Sequence, residues 1–257
     1  MSKKILFIIG TRPELIKVFP IINLLKQSGY SEFRILSTGQ HKELLKSYWE
    51  VFDIQPDYEL DIMVKNQSLS SLTGRVLIQL QDFLDSIKND FLPEIIISQG
   101  DTTTVMSSSM VSFFNGIEFA HIEAGLRSFD LNNPFPEEFN RKVSSLIASY
   151  HFAPTEVSKS NLIMEGIQEN KIFVVGNTIV DTIEYFKISQ RLKNHLFYND
   201  ALRSLKSETI LITCHRRENH EKIDELIDSV KELAIKFSNK TFFWPVQPNP
   251  KVYNKVF

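Results

Sequence analysis

One cysteine, Cys214, stands in a chain of 257 residues, so no internal disulfide can brace the fold, and the expected setting is a reducing one. Charge of one sign is not in excess either: 29 Lys and Arg meet 31 Asp and Glu. That balance gives no global positive field for a nucleic-acid backbone or an anionic membrane, and any anionic ligand has to be met locally. No apolar run approaches the ~20 residues of a membrane-spanning helix. Arg12 and Glu14 interrupt the opening MSKKILFIIGTRPE where a secretory signal would stay apolar, so a cytoplasmic protein is expected. GxGxxG does not follow the first apolar run and GxxxxGK[ST] is absent throughout, so neither a dinucleotide site nor a P-loop is indicated. The His and Cys spacing offers no structural metal site.

What the chain does have is a composition 42% hydrophobic and 23% charged, ordinary for a folded domain. Short β-branched runs recur from Lys4 (KILFII), Phe33 (FRILS), Glu94 (EIIIS), Glu118 (EFAHI), Lys171 (KIFVV) and Glu208 (ETILIT), with helical stretches between them. Ile95, Ile96 and Ile97 are apolar at successive positions, the mark of strands covered on both faces. The spacing of Leu69, Leu72, Val76, Leu80, Phe83, Leu84 and Ile87 predicts an amphipathic helix. The class is α/β, with a doubly wound parallel sheet. Residues 1–170 are expected to form a first Rossmann-like domain, and residues 171–257 a linker and the first part of a second, the mixed stretch 187–207 separating them.

In such sheets ligands bind outside the carboxyl ends of the strands, where helix N-termini present N–H groups. Five polar clusters follow apolar runs: GTRPELIK from Gly10, QGDTTT from Gln99, HIEAGLRS from His121, CHRRENH from Cys214 and PVQPNP from Pro245. Taken singly, several have plain structural readings. Arg12 and Lys17 can be surface charges on a helix with Pro13 at N1. Asp101 can be an N-cap, and Glu137 with Arg141 an i,i+4 ion pair. Glu123, between an apolar run and Gly125, has no structural need to be acidic. Together, three carboxylates (Asp101, Glu123, Glu137) and four cationic or ionisable groups (Arg12, Lys17, Arg141, His215) suit proton movement beside a bound pyrophosphate.

GTRPELIK, GDTTT, HIEAGLRS, PEEFNRK, GNTIVDT and CHRREN, in this order and spacing, resemble the non-hydrolysing UDP-GlcNAc 2-epimerases, which make UDP-ManNAc for bacterial surface polysaccharides. The resemblance runs from Lys4 to about Pro250. It implies two Rossmann-like domains of the GT-B kind, a homodimer and a UDP-sugar substrate. It also implies chemistry without a cofactor, in which C2 loses its proton, UDP leaves C1, and both return with inversion at C2. Asp101, Glu123 and Glu137 match the family's acid/base candidates, and Arg141 and His215 match further catalytic positions. Arg12, Lys17, Gln40, His41 and Gln67 match residues lining the nucleotide-sugar site. Gln247 stands where the family has histidine in PVHxNP, and it can hydrogen-bond but not become cationic. The family continues into a TDSGGIQEE-like nucleotide-binding segment beyond the point matching Phe257, so the second domain is expected to be incomplete. Three other readings stay open at this stage: a non-catalytic remnant, an epimerase for another UDP-2-acetamido sugar, and a hydrolysing epimerase.

Overall fold

Every position of Ile5–Ile9 is apolar, and the reason is that this strand, β1, lies in the middle of a sheet with helices on both faces. The computed structural model describes residues 2–40, 42–64, 67–188, 208–214, 223–246, 253 and 255–256, with the backbone alone at 43, 44 and 188. Leu6 and Ile8 point to one core, with Leu36, Ile96 and Phe119. Phe7 and Ile9 point to the other, with Ile35, Ile97 and Ile122. Adjacent side chains of a strand leave on opposite faces, so a doubly covered strand has to be apolar throughout.

Seven strands make this sheet. They are β1, β2 (Phe33–Ser37), β3 (Tyr58–Glu59), β4 (Ile95–Gln99), β5 (Glu118–Ile122), β6 (Tyr150–Ala153) and β7 (Ile172–Val174). Their order is β3-β2-β1-β4-β5-β6-β7 and each neighbouring pair is parallel. The chain therefore winds outward from β1 in one direction and from β4 in the other, and the strand order reverses between them. Three helices follow the first strands: α1 (Arg12–Gln27), α2 (Lys42–Phe52) and α3 (Leu69–Ile87). They are followed by α4 (Thr103–Phe114), α5 (Glu137–Ile147), α6 (Glu156–Met164) and α7 (Ile179–Ile188). Helix α1 buries Leu15, Val18, Phe19 and Ile22 with Trp49 and Phe52 of α2, and α3 buries its own stripe on the opposite face. The spacing-based reading of α3 holds for Leu72 to Ile87, whereas Leu69, at the first helical position, is exposed.

The chain divides after Arg191 and not near 170. The apolar run from Lys171, expected to lead into the second domain, is instead the edge strand β7, paired in register with β6 through His151↔Ile172 to Ala153↔Val174. Helix α7 then returns onto α1, where the Thr182 hydroxyl donates to the Ile16 carbonyl at 2.6 Å and Tyr185 and Phe186 pack against Phe19. The second unit, Leu192–Phe257, contains a parallel pair, β8 (Thr209–Leu211) and β9 (Thr241–Phe243), and helix α8 (Ile223–Lys236). Both units are thus parallel α/β, the class expected. Among the described residues no helix is long and apolar enough to cross a membrane.

Candidate active site

The carboxyl ends of β1, β4, β5 and β7 lead into Gly10, Gly100, Glu123 and Val175. Gly10 is required by close approach, because a Cβ there would stand 2.5 Å from Thr104 Oγ1 and 2.9 Å from Thr38 Oγ1. Thr104 in turn donates to Gln40 Oε1 at 2.9 Å, which anchors Gln40 at the mouth of β2. Arg12 is exposed at the first position of α1, with Pro13 second, and its guanidinium lies 5.6 Å from the centre of the Tyr48 ring.

Glu123 is the most heavily held carboxylate at this edge. Lys17 Nζ reaches both of its oxygens, at 2.7 and 2.6 Å; Gln99 Nε2 donates at 2.5 Å and Asn177 Nδ2 at 3.0 Å. These donors come from α1, the end of β4 and the loop after β7, so one side chain collects elements from across the sheet. Its backbone has φ +68°, a left-handed conformation that costs on the order of 1–3 kcal/mol in a residue other than glycine and recurs at functional sites. Gly125 follows at φ +86°, where a Cβ would meet the Ser158 carbonyl oxygen at 2.2 Å. The turn is thereby pressed onto α6, and Asn161 closes it by donating to the Gly125 carbonyl at 3.0 Å.

Asp101 is held differently. Arg141 Nε and Nη2 both donate to its Oδ2, at 2.9 and 2.7 Å, while among the described residues Oδ1 has no hydrogen-bond partner. The capping reading of Asp101 fails, because the hydroxyl that accepts the Val105 N–H and starts α4 belongs to Thr102. The expected Glu137–Arg141 pair is also absent. Arg141 Nη1 donates instead to Glu138 at 3.1 Å, one position along, whose carboxylate is fully buried and also accepts the Ser128 and Phe129 N–H groups. Burial works against the Arg141 cation, but Asp101 and Glu138 outweigh it and its pKa lies above the ordinary value. Glu137 is half-buried at the first position of α5, with no ion pair among the described residues.

The turn after β4 is pinned at three successive residues. His121 Nε2 bonds the Gly100 carbonyl at 2.7 Å, Asn140 Nδ2 donates to the Asp101 carbonyl at 2.8 Å, and the Thr102 hydroxyl donates to Glu14 at 2.7 Å. The bond to a carbonyl places the His121 proton on Nε2. Burial disfavours the imidazolium and lowers the His121 pKa from 6.5 to about 4. A histidine whose folded pKa is depressed contributes stability that is intact above pH 6.5. It is lost as the pH falls towards 4, because the unfolded chain takes up the proton first. Wild type should therefore lose about 3 kcal/mol more than His121→Gln between pH 7 and pH 4 in urea unfolding. Parallel stability curves for the two proteins would refute the assignment.

Lys17, Asp101, Glu123 and Arg141 are thus held by charge pairing and hydrogen bonding along one edge, where Arg12 and Gln40 also lie. Gln67 sits in the loop before α3, its Nε2 3.2 Å from the Met63 sulfur. His41, His215 and Gln247 lie outside the described residues. The sequence reading passed over Gln99, Asn177, Glu14 and Glu138 as site residues, although all four stand inside motifs it quoted. Neutral amides and a carboxylate beside a stronger candidate carry little signal until their partners are known.

A parallel sheet with its strand order reversing between β1 and β4, and paired carboxylates and cations at that edge, defines a doubly wound α/β protein with a charged cluster where such sheets take their ligands. Residues 23–257 match the family described as UDP-N-acetylglucosamine 2-epimerase. The chain is 39% identical to the UDP-N-acetylglucosamine 2-epimerase of Campylobacter jejuni, over 100% of this chain and 68% of that protein. It superimposes on the crystal structure of the Neisseria meningitidis UDP-GlcNAc 2-epimerase bound to UDP-GlcNAc with a TM-score of 0.85 at 40% identity, covering 98% of this chain and 68% of that one. For the Methanocaldococcus jannaschii enzyme in complex with UDP-GlcNAc and UDP the TM-score is 0.78 at 34% identity, covering 98% and 67%. The chain belongs to the UDP-N-acetylglucosamine 2-epimerase family, a family of isomerases.

Proposed function

We propose that this protein interconverts UDP-GlcNAc and UDP-ManNAc by elimination and re-addition of UDP. The observation that carries the reading is the pair of carboxylates, Asp101 and Glu123, at the ends of the adjacent strands β4 and β5, each paired with its own cation. Inversion at C2 needs a proton taken from one face of the sugar and returned to the other, and two separately held carboxylates meet that need. In the forward step the C2–H bond breaks, its electrons form the C1=C2 bond of a glycal, and the C1–O bond breaks as UDP departs. Re-addition reverses each change with the proton arriving on the opposite face.

Among the described residues nothing hydrogen-bonds Asp101 Oδ1, which leaves that atom to receive a proton while Arg141 fixes Oδ2. Glu123 has its oxygens occupied by Lys17, Gln99 and Asn177. An arriving diphosphate competes with Glu123 for the Lys17 ammonium, which would stabilise the departing UDP and free a Glu123 oxygen in one movement. Glu137, Arg12, Gln40, Gln67 and the residues beyond the described set, His41, His215 and Gln247, complete the proposed site on the strength of their family motifs. The same resemblance supports a cytoplasmic homodimer that supplies precursor for bacterial surface polysaccharide.

The test is turnover of UDP-GlcNAc in deuterated water. UDP-ManNAc carrying deuterium at C2 is the expected product. Product without solvent label would eliminate this route, and release of free ManNAc would assign the protein to hydrolysing chemistry.

A further inference from the structure

Glu14 is 1% exposed, and among the described residues no cation pairs with it. Its Oε2 accepts the N–H groups of Gly10, at 2.5 Å, and Thr11, at 3.2 Å, while its Oε1 accepts the Thr102 hydroxyl at 2.7 Å. Burial holds the Glu14 pKa above the ordinary carboxylate value, and the hydrogen bonds from Gly10, Thr102 and Thr11 offset only part of that rise. A carboxylate is a costly group to bury without a cation. Glu14 closes a capping box with Thr11 at the start of α1, but for its carboxylate that box uses only the Thr11 N–H, and the bonds from Gly10 and Thr102 go beyond it.

The placement of Glu14 says what else it does. It lies at the point where the strand order reverses, between the end of β1 and the start of α4. Two backbone N–H groups at the entry to α1, a position where a Rossmann-like sheet can take an anionic ligand, are here consumed by the chain's own carboxylate. Thr102 spends its hydroxyl proton on Glu14 and uses the same oxygen to accept the Val105 N–H at 3.3 Å, so Glu14 sets the rotamer of the residue that starts α4. Asp101 immediately precedes that residue. His121 and Asn140 fix the carbonyls of Gly100 and Asp101, and Glu14 fixes the third successive position. Among the described residues, the hydrogen bond through Glu14 is the one that ties residues 100–102 directly to α1, which carries Lys17 and Arg12.

We infer that Glu14 is a positioning residue which, acting through Thr102, sets Asp101 and its Arg141 partner relative to the Lys17–Glu123 pair. The inference rests on the epimerase reading for its kinetic consequence but not for its structural one. A misplacement on the order of 1 Å at reacting groups costs up to about 10²-fold in rate. Glu14→Gln and Thr102→Val should each lower kcat by about 10- to 100-fold with KM for UDP-GlcNAc little changed. The double variant should be no slower than the slower single one, because the two residues act as a unit. Thr102→Ser, which keeps the hydroxyl, should restore kcat.

The second readout needs no turnover: the 15N-labelled Arg141 Nε–H resonance, identified by its disappearance in Arg141→Lys, should shift in Glu14→Gln and in Thr102→Val and return in Thr102→Ser. Where Glu14→Gln does not fold, the two Thr102 variants carry both readouts. An unmoved Arg141 resonance in the folded variants overturns the inference, as does kcat falling only in proportion to the folded fraction. A wild-type protein that leaves UDP-GlcNAc unchanged overturns the epimerase reading alone, and the Arg141 resonance then decides the role of Glu14.

Discussion

Glu123→Gln is expected to lower turnover of UDP-GlcNAc by about 10²- to 10⁴-fold, the scale of a positioned acid or base. The geometry makes this the most sensitive single position. Lys17, Gln99 and Asn177 all present N–H donors to the Glu123 oxygens, so an amide group there sets donor against donor at one oxygen position and removes the charge that holds the Lys17 ammonium. The variant should stay folded, since the side chain is partly open to solvent, at 11% exposure, and its partners can turn to water. Initial rates on the protein that carries this sequence, normalised to the folded fraction by circular dichroism, check it. Rates within threefold of wild type would reduce the Lys17–Glu123 pair to a structural tie between α1 and β5.

Asp101→Asn should cost about 10²-fold or more in kcat, and the accompanying change at Arg141 separates it from a packing effect. Both Arg141 contacts to Asp101 go to Oδ2, and an asparagine can still offer one oxygen there. The amide then occupies the place of Oδ1, the atom proposed to take the C2 proton. Substrate binding should therefore survive while solvent deuterium ceases to appear at C2 of either nucleotide sugar. Arg141→Lys supplies the contrast: a lysine cannot make the two-nitrogen contact with Asp101 and also reach Glu138. It should impair kcat and leave residual exchange. An Asp101→Asn enzyme that still exchanges the C2 hydrogen at the wild-type rate would exclude Asp101 as the proton acceptor and pass that role to another carboxylate.

Much of the first unit was legible because its strands are covered on both faces. Ile95–Ile97 and Ile5–Ile9 have no polar position to offer, and such runs read directly as buried parallel strands. β3 and β6 escaped notice for the opposite reason. Tyr58–Glu59 is two residues long, and Tyr150–Ala153 carries a buried histidine that looks polar until the Ser145 and Lys171 carbonyls are seen around its ring. The edge strand β7 was assigned to the wrong side of the domain boundary, since an apolar run does not record which strand it will pair with.

The sequence by itself determined the class of the fold, the family, and the carboxylates and cations on which the chemistry is proposed to rest, because these depend on apolar periodicity and on residue types within short motifs. Tertiary structure alone decided how those charges are distributed. Asp101 pairs with Arg141, Arg141 with Glu138 and not Glu137, Glu123 with Lys17, and Glu14 with backbone N–H groups and a threonine. Those partners lie between 3 and 106 positions apart along the chain. Which donor meets which acceptor is set by the strand order and by where each helix begins, and neither is written in the spacing of the residues themselves.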